Sequence, residues 1–113
     1  QGGEIFIPKI PSVKITDLAT SMAPKLKQKL IGIRPGEKIH EIMCPKDDSH
    51  LTIEFKKYYI IAPSIKFNQI SNNFRKNKLG ELGKKVKINF EYSSGTNPNF
   101  LSIEKLEKLN NNI

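Results

Sequence analysis

The sequence predicts a small α/β fold, built of short strands and short helices with a β-hairpin near its middle. Three observations predict it. Short apolar runs alternate with amphipathic segments as far as Pro45. A clean apolar/polar alternation at 51–55 is followed at once by the β-rich run Tyr58-Tyr59-Ile60-Ile61. Pro8, Pro24, Pro45 and Pro63 each close a run, as residues that cannot continue a helix or an inner strand do.

Taken in order, Glu4-Ile5-Phe6-Ile7 lies between Gly2-Gly3 and Pro8 and reads as a strand buried on both faces. Residues 9–12 are extended, because a residue before proline disfavours the helical region. Thr16 is the expected N-cap of a first helix, with Asp17 placed against the helix dipole. Leu18 and Met22, with Ala19 and Ala23, form its inward stripe. Residues 29–33 read as a second strand. Pro35 suits the first position of a second helix, Glu37 its first turn, and Ile39, Ile42 and Met43 its inward face. The expected order over 1–45 is therefore β-α-β-α. Residues 46–50 form a polar loop, and a hairpin over 51–61 turns at Lys56-Lys57. Residues 64–87 are expected to be irregular, with Asn68, Asn72, Asn73, Asn77, Ser71, Gly80 and Gly83 as loop markers. The alternation of Val86, Ile88, Phe90 and Tyr92 predicts a late strand. Ser102 caps a last helix whose Ile103, Leu106 and Leu109 face inward. Tail strand and helix occupy 88–112, and residues 1–113 are expected to form a single region without internal repeats.

The chain has 113 residues and a net charge of +8, with a pI near 9.7. That charge invites a nucleic-acid reading, but only Arg34 and Arg75 of the 19 basic residues are arginine, the residue suited to bidentate phosphate and base contacts. The lysines never run beyond a pair, so no nucleic-acid partner is expected. Cys44 is the single cysteine, which excludes an intrachain disulfide and suits a buried structural thiol in a reducing compartment. No apolar run approaches the ~20 residues that span a bilayer, and no leader pattern opens the chain. A cytoplasmic location without membrane contact is expected. The first residue is Gln1 rather than Met, so the chain is expected to begin within a longer protein.

Complete catalytic machinery is not legible. The glycine-rich dinucleotide fingerprint is absent, and none of Tyr58, Tyr59 and Tyr92 is followed four residues later by lysine. Asp47, Asp48 and His50 match no metal-ligand spacing. His40 has no evident nucleophile to serve and reads as part of a polar helix face. Arg34-Pro35-Gly36-Glu37 stands apart. Ligands of open α/β sheets gather beyond the carboxyl ends of strands, where an arginine can hold a diphosphate with fixed, charge-assisted geometry. Helix-start N–H groups would add to that attraction. An ionised glutamate accepts from vicinal ribose hydroxyls. The same pair could equally be a surface ion pair of little energetic consequence.

Four blocks resemble one family: Gly2-Gly3-Glu4-Ile5-Phe6-Ile7-Pro8-Lys9-Ile10-Pro11-Ser12, Ile15-Thr16-Asp17-Leu18-Ala19, residues 31–41, and Phe90-Glu91-Tyr92-Ser93-Ser94-Gly95. It is the inverting UDP-N-acetylglucosamine 4,6-dehydratase family of extended short-chain dehydrogenases, which opens pseudaminic acid and related surface-glycan pathways. The resemblance implies that this chain is the C-terminal, substrate-binding part of such an enzyme, with the Rossmann half absent. It implies a family reaction in which bound NADP oxidises C4 of the sugar, water leaves across C5 and C6, and hydride returns to C6 with inversion at C5. Catalytic residues and NADP would belong to the N-terminal portion, and none to this chain, which alone would be inactive. Carried over, Arg34 contacts the UDP diphosphate and Glu37 the uridine ribose. Implied partners are the UDP-sugar, the N-terminal Rossmann portion and further copies in a homo-oligomer. Two other readings stay open: a basic polyanion-binding module and a structural or oligomerisation appendage.

Overall fold

The computed structural model describes residues 2–64 and 74–112. They group into two compact units: residues 1–9 with 42–93, and residues 10–41 with 94–113.

The first unit is built on a four-stranded antiparallel sheet. Its strands are β1 (Ile5–Pro8), β3 (Thr52–Glu54), β4 (Tyr58–Ile61) and β5 (Lys84–Lys85), in the order β1-β4-β3-β5. The hairpin falls where the sequence placed it, with Thr52 opposite Ile61 and Glu54 opposite Tyr59. Neither Lys56 nor Lys57 takes a positive φ, so the turn needs neither glycine nor asparagine. β4 is flanked on both sides and buries residues on both faces. Tyr59 and Ile61 join Ile7, Cys44 and Tyr92 on one face; Ile60 joins Ile53 and Phe55 on the other. Ring pairs reinforce both layers, Tyr59 with Tyr92 at 5.1 Å between centroids and Phe55 stacked on Tyr58 at 4.8 Å. Such pairs contribute about 0.5–1.5 kcal/mol each beyond area burial.

The strand expected to be buried on both faces is the edge strand. Among the described residues β1 pairs with β4 alone, buries Ile7, and leaves Ile5 and Phe6 exposed. Gly83 precedes β5 and lies hard against β3: a methyl there would come within 2.5 Å of Ile53 Cγ2. The late strand is divided. β5 ends at Lys85, Phe90 N–H closes a turn onto the Lys87 carbonyl at 3.0 Å, and Asn89 takes a left-handed φ of 66°. Only Tyr92–Ser93 (β6) is extended, paired with β2 (Ile42–Cys44). Residues 46–50, expected as a loop, belong to a 3₁₀ helix, Lys46–Leu51. Asn77 organises the irregular stretch: its side-chain oxygen accepts from Leu79 and Glu81 N–H, and its amide donates to Tyr58 Oη and Glu81 Oε2. Ser71 and the expected loop asparagines 68, 72 and 73 lie outside the described residues.

The second unit holds two α-helices, α1 (Ile15–Met22) and α2 (Ile103–Asn111), which pack on each other. Lys14, not Thr16, is the N-cap of α1; Leu18 N–H already bonds the Lys14 carbonyl, so Thr16 lies inside the first turn. Met22 and Leu109, expected inward, are exposed, while Leu106 is buried as expected. Ser102 caps α2, accepting from Lys105 N–H at 3.4 Å. Buried Asn97 ties the ends of the unit together by donating to the Ile10 carbonyl and Ser12 Oγ, both at 2.9 Å.

The β-α-β-α order over 1–45 does not form. Residues 29–33 make no strand; Gly32, at φ 86°, breaks the extended run, and Leu30, Ile31 and Ile33 stay exposed. The second helix is also absent. Pro35 and Gly36 occupy the centre of a tight turn, and Ile42 and Met43 enter β2. Proline at a helix start followed by an acid is also the pattern of a Pro-Gly turn, and a glycine inside a helix costs about 1 kcal/mol. Of the α/β expectation, strands and helices persist, and the paired strands are antiparallel.

Candidate functional site

Arg34 and Glu37 are brought together, but by a turn rather than by a strand end and a helix start. Glu37 N–H donates to the Arg34 carbonyl at 3.1 Å, closing four residues around Pro35 and Gly36. Gly36 has φ 84°, the left-handed value that a type II turn requires at its third residue. The Glu37 carboxylate folds back: Oε2 accepts from Arg34 N–H at 2.9 Å, and Oε1 lies 4.0 Å from Arg34 Nε. Their side chains are 72% and 51% exposed, so this ion pair adds little to stability. The turn is thus a self-closed loop that holds out a guanidinium and a carboxylate. The exposed carboxylate can accept a hydroxyl, and the guanidinium fork can take phosphate oxygens.

Behind this turn, residues 40–41 are fastened to Ser94 and Gly95. Glu41 N–H donates to Ser94 Oγ at 3.0 Å, and Ser94 N–H returns the bond to the Glu41 carbonyl at 2.9 Å. His40 Nδ1 lies 3.4 Å from Ser94 Oγ, and its ring covers Gly95 so closely that a Cβ there would sit 2.9 Å from His40 Cδ2. The blocks 31–41 and 90–95 therefore meet through His40, which the sequence had left on a polar helix face. A glycine after two serines was the one signal pointing to such a close approach.

Other titratable groups serve the sheet of the first unit. Lys9 Nζ lies 2.9 Å from Glu54 Oε2 and 4.9 Å from the centroid of the Tyr59 ring. The Lys9 hydrogen bond holds the Glu54 carboxyl below its usual range, opposed by partial burial. Burial, then the hydrogen bond to Glu54, pushes the Tyr59 hydroxyl up, so it stays protonated and structural. Cys44 is fully buried, and desolvation followed by the Asp48 charge raises its thiol to about 11. Such a thiol is not a nucleophile at neutral pH. Asp47, Asp48 and His50 share the 3₁₀ helix, and no group of three or more potential ligands among the described residues could hold a metal ion.

A family model described as "Polysaccharide biosynthesis protein" matches residues 1–63, more than half of the chain and inclusive of the Arg34 turn. The chain belongs to this family. Within it, the chain is 61% identical over 110 residues to the UDP-N-acetylglucosamine 4,6-dehydratase (inverting) of Campylobacter jejuni serotype O:2. That alignment covers 97% of this chain and 33% of the relative. The protein of the same name from C. jejuni serotype O:23/36 is 60% identical over 105 residues, covering 93% of the chain and 31% of the relative. The similarity falls in the C-terminal region of these relatives, and the chain spans about a third of their length. Among solved structures, Pen from Bacillus thuringiensis is similar with a TM-score of 0.68 at 28% identity, over 98% of this chain and 31% of that one. In the described residues no helix is long and apolar enough to cross a membrane.

Proposed function

We propose that this chain is the nucleotide-holding C-terminal part of an inverting UDP-N-acetylglucosamine 4,6-dehydratase of surface-glycan biosynthesis, such as a pseudaminic acid pathway. Arg34 binds the UDP diphosphate and Glu37 accepts from the ribose hydroxyls. The observation that carries this reading is the Arg34–Glu37 turn, solvent-facing and closed on itself within a chain 61% identical to an enzyme of that name. On this reading NADP and the catalytic groups belong to a portion outside these residues. The chain's own connections fit that division: the β1-to-α1 link, residues 9–14, has a proline and no glycine with which to admit a dinucleotide diphosphate. When bound, NADP supplies the hydride acceptor and donor; this chain's residues hold and orient the nucleotide.

The second unit also looks built to be covered. Ile15, Met22, Leu26, Leu30, Ile31 and Ile39 are all more than two-thirds exposed within 25 residues of sequence. So much uncovered apolar surface is unusual for a monomer and suits packing against further polypeptide of the full-length enzyme, including its other copies.

The test is Arg34→Ala in the full-length protein, with UDP-N-acetylglucosamine as substrate. Loss of charge-assisted phosphate bonds worth about 1.5–3 kcal/mol should weaken binding roughly 10- to 150-fold. Unchanged UDP affinity would remove the assignment. UDP-independent, salt-sensitive binding to unrelated polyanions would favour a basic binding module instead.

A further inference from the structure

We infer that His40 is a positioning residue for the nucleotide-holding turn, seated there by Ser94 and Gly95; the inference rests on the reading of Arg34 and Glu37 just given. Between Leu26 and Glu41 the backbone belongs to no helix or strand, so its path depends on local tethers. The upstream tether is Gln28, whose amide donates to the Thr16 carbonyl at 3.1 Å and to Thr20 Oγ at 2.8 Å. Downstream stands the reciprocal pair of Glu41 and Ser94. His40 is the residue immediately before that pair, three residues past Glu37.

The ring's seat is specific. Ser94 Oγ accepts from Glu41 N–H and at the same time lies 3.4 Å from His40 Nδ1, so one hydroxyl joins the backbone and the ring. The ring then lies over Gly95, where an added methyl would be 2.9 Å from Cδ2 and 3.0 Å from Cγ. Only glycine leaves the ring in that place. The turn 34–37 is closed by its own bonds, so it moves as one body. At most about 11 Å of chain separates it from His40. Displacing the ring therefore re-aims the guanidinium and the carboxylate together.

Two measurements test this. In the full-length protein without ligand, Gly95→Ala should shift the backbone amide signals of Arg34 and Glu37 in a ¹⁵N–¹H spectrum. In the full-length protein, Gly95→Ala and Ser94→Ala should raise KM for the UDP-sugar about tenfold, roughly the worth of one hydrogen bond to the nucleotide, with kcat within about twofold. Ser94→Thr keeps the hydroxyl and should restore KM. Unmoved Arg34 and Glu37 amides in Gly95→Ala overturn the inference, as does a kcat loss at constant KM. Shifted amides with a KM that neither Gly95→Ala nor Arg34→Ala alters would support the mechanical link while overturning the nucleotide assignment. Far-UV circular dichroism of each variant separates these results from unfolding.

Discussion

Gly83→Ala is expected to destabilise the first unit, and the cost follows from three distances. The new methyl would sit 2.5 Å from Ile53 Cγ2, 2.8 Å from Phe55 Cζ and 3.0 Å from Phe55 Cε2. Carbon atoms in contact prefer about 3.5–4.0 Å, so the shortfall at Ile53 is about 1 Å. Neither neighbour can yield cheaply. Ile53 is β-branched and Phe55 is nearly fully buried, and both belong to one apolar cluster with Ile60. The backbone cannot retreat either: Gly83 N–H donates to the Arg75 carbonyl at 2.6 Å, and Lys84 and Lys85 pair directly with β3. Overpacking of this kind costs about 1–3 kcal/mol. Urea unfolding followed by tyrosine near-UV circular dichroism should show a midpoint lowered at constant m-value. A loss below about 0.5 kcal/mol would refute the idea that glycine is required here for close approach. Gly36→Ala is the contrasting case. Nothing lies within 4 Å of its added methyl, but φ is 84°, so backbone strain alone should cost about 1–2 kcal/mol. The two variants should perturb different signals, those of Ile53 and Phe55 in one and those of Arg34 and Glu37 in the other.

Two further sets of outcomes are expected, one for Cys44 and one for Lys9. Cys44 should resist thiol reagents in the folded chain at pH 8 and react only on unfolding, which a mass-shift time course reads. Its folded thiol titrates near 11, above the ordinary ~8.5, so its contribution to stability is full below the latter and is lost as pH rises toward the former. Lys9→Met should flatten the acid limb of the stability curve. Glu54 is depressed by Lys9, so the pair stabilises above the ordinary glutamate value of ~4.3 and fades as pH falls below it. Both side chains are partly solvated, so the difference at pH 7 should stay under about 1 kcal/mol.

The hairpin was legible because its signal is local. A period-two alternation meets a β-rich run across two residues, and register follows from the turn. Ser102 was legible for the same reason, since a cap acts within one turn of its helix. The burial of β1 was misjudged because an apolar run cannot say whether a strand lies at the edge or in the middle. β4, equally apolar, took an inner place between β1 and β3. Residues 29–43 were misread because single residues carried two meanings. Pro35 fits a helix start or a turn, and Ile42 and Met43 fit a helical face or a strand. Gly32 and Gly36 decide between them, since both take left-handed φ values that interrupt regular structure.

The consequence for the site is specific. The sequence placed Arg34 and Glu37 between a strand end and a helix start, whose N–H groups would add to the attraction of an anion, and that setting is gone. What replaces it is a Pro-Gly turn that aims both groups by its own hydrogen bonds, fastened at His40 and Glu41 to a serine and a glycine more than fifty positions later. Any phosphate held there is held by the guanidinium without helix-start N–H groups to share the charge. Affinity should therefore depend on Arg34 more steeply than at a helix N-terminus. Arg34→Lys, which keeps the charge but loses the planar fork, should recover only part of what Arg34→Ala loses. Full recovery of UDP affinity by lysine would mean that point charge suffices and that the bidentate geometry argued from the turn plays no part.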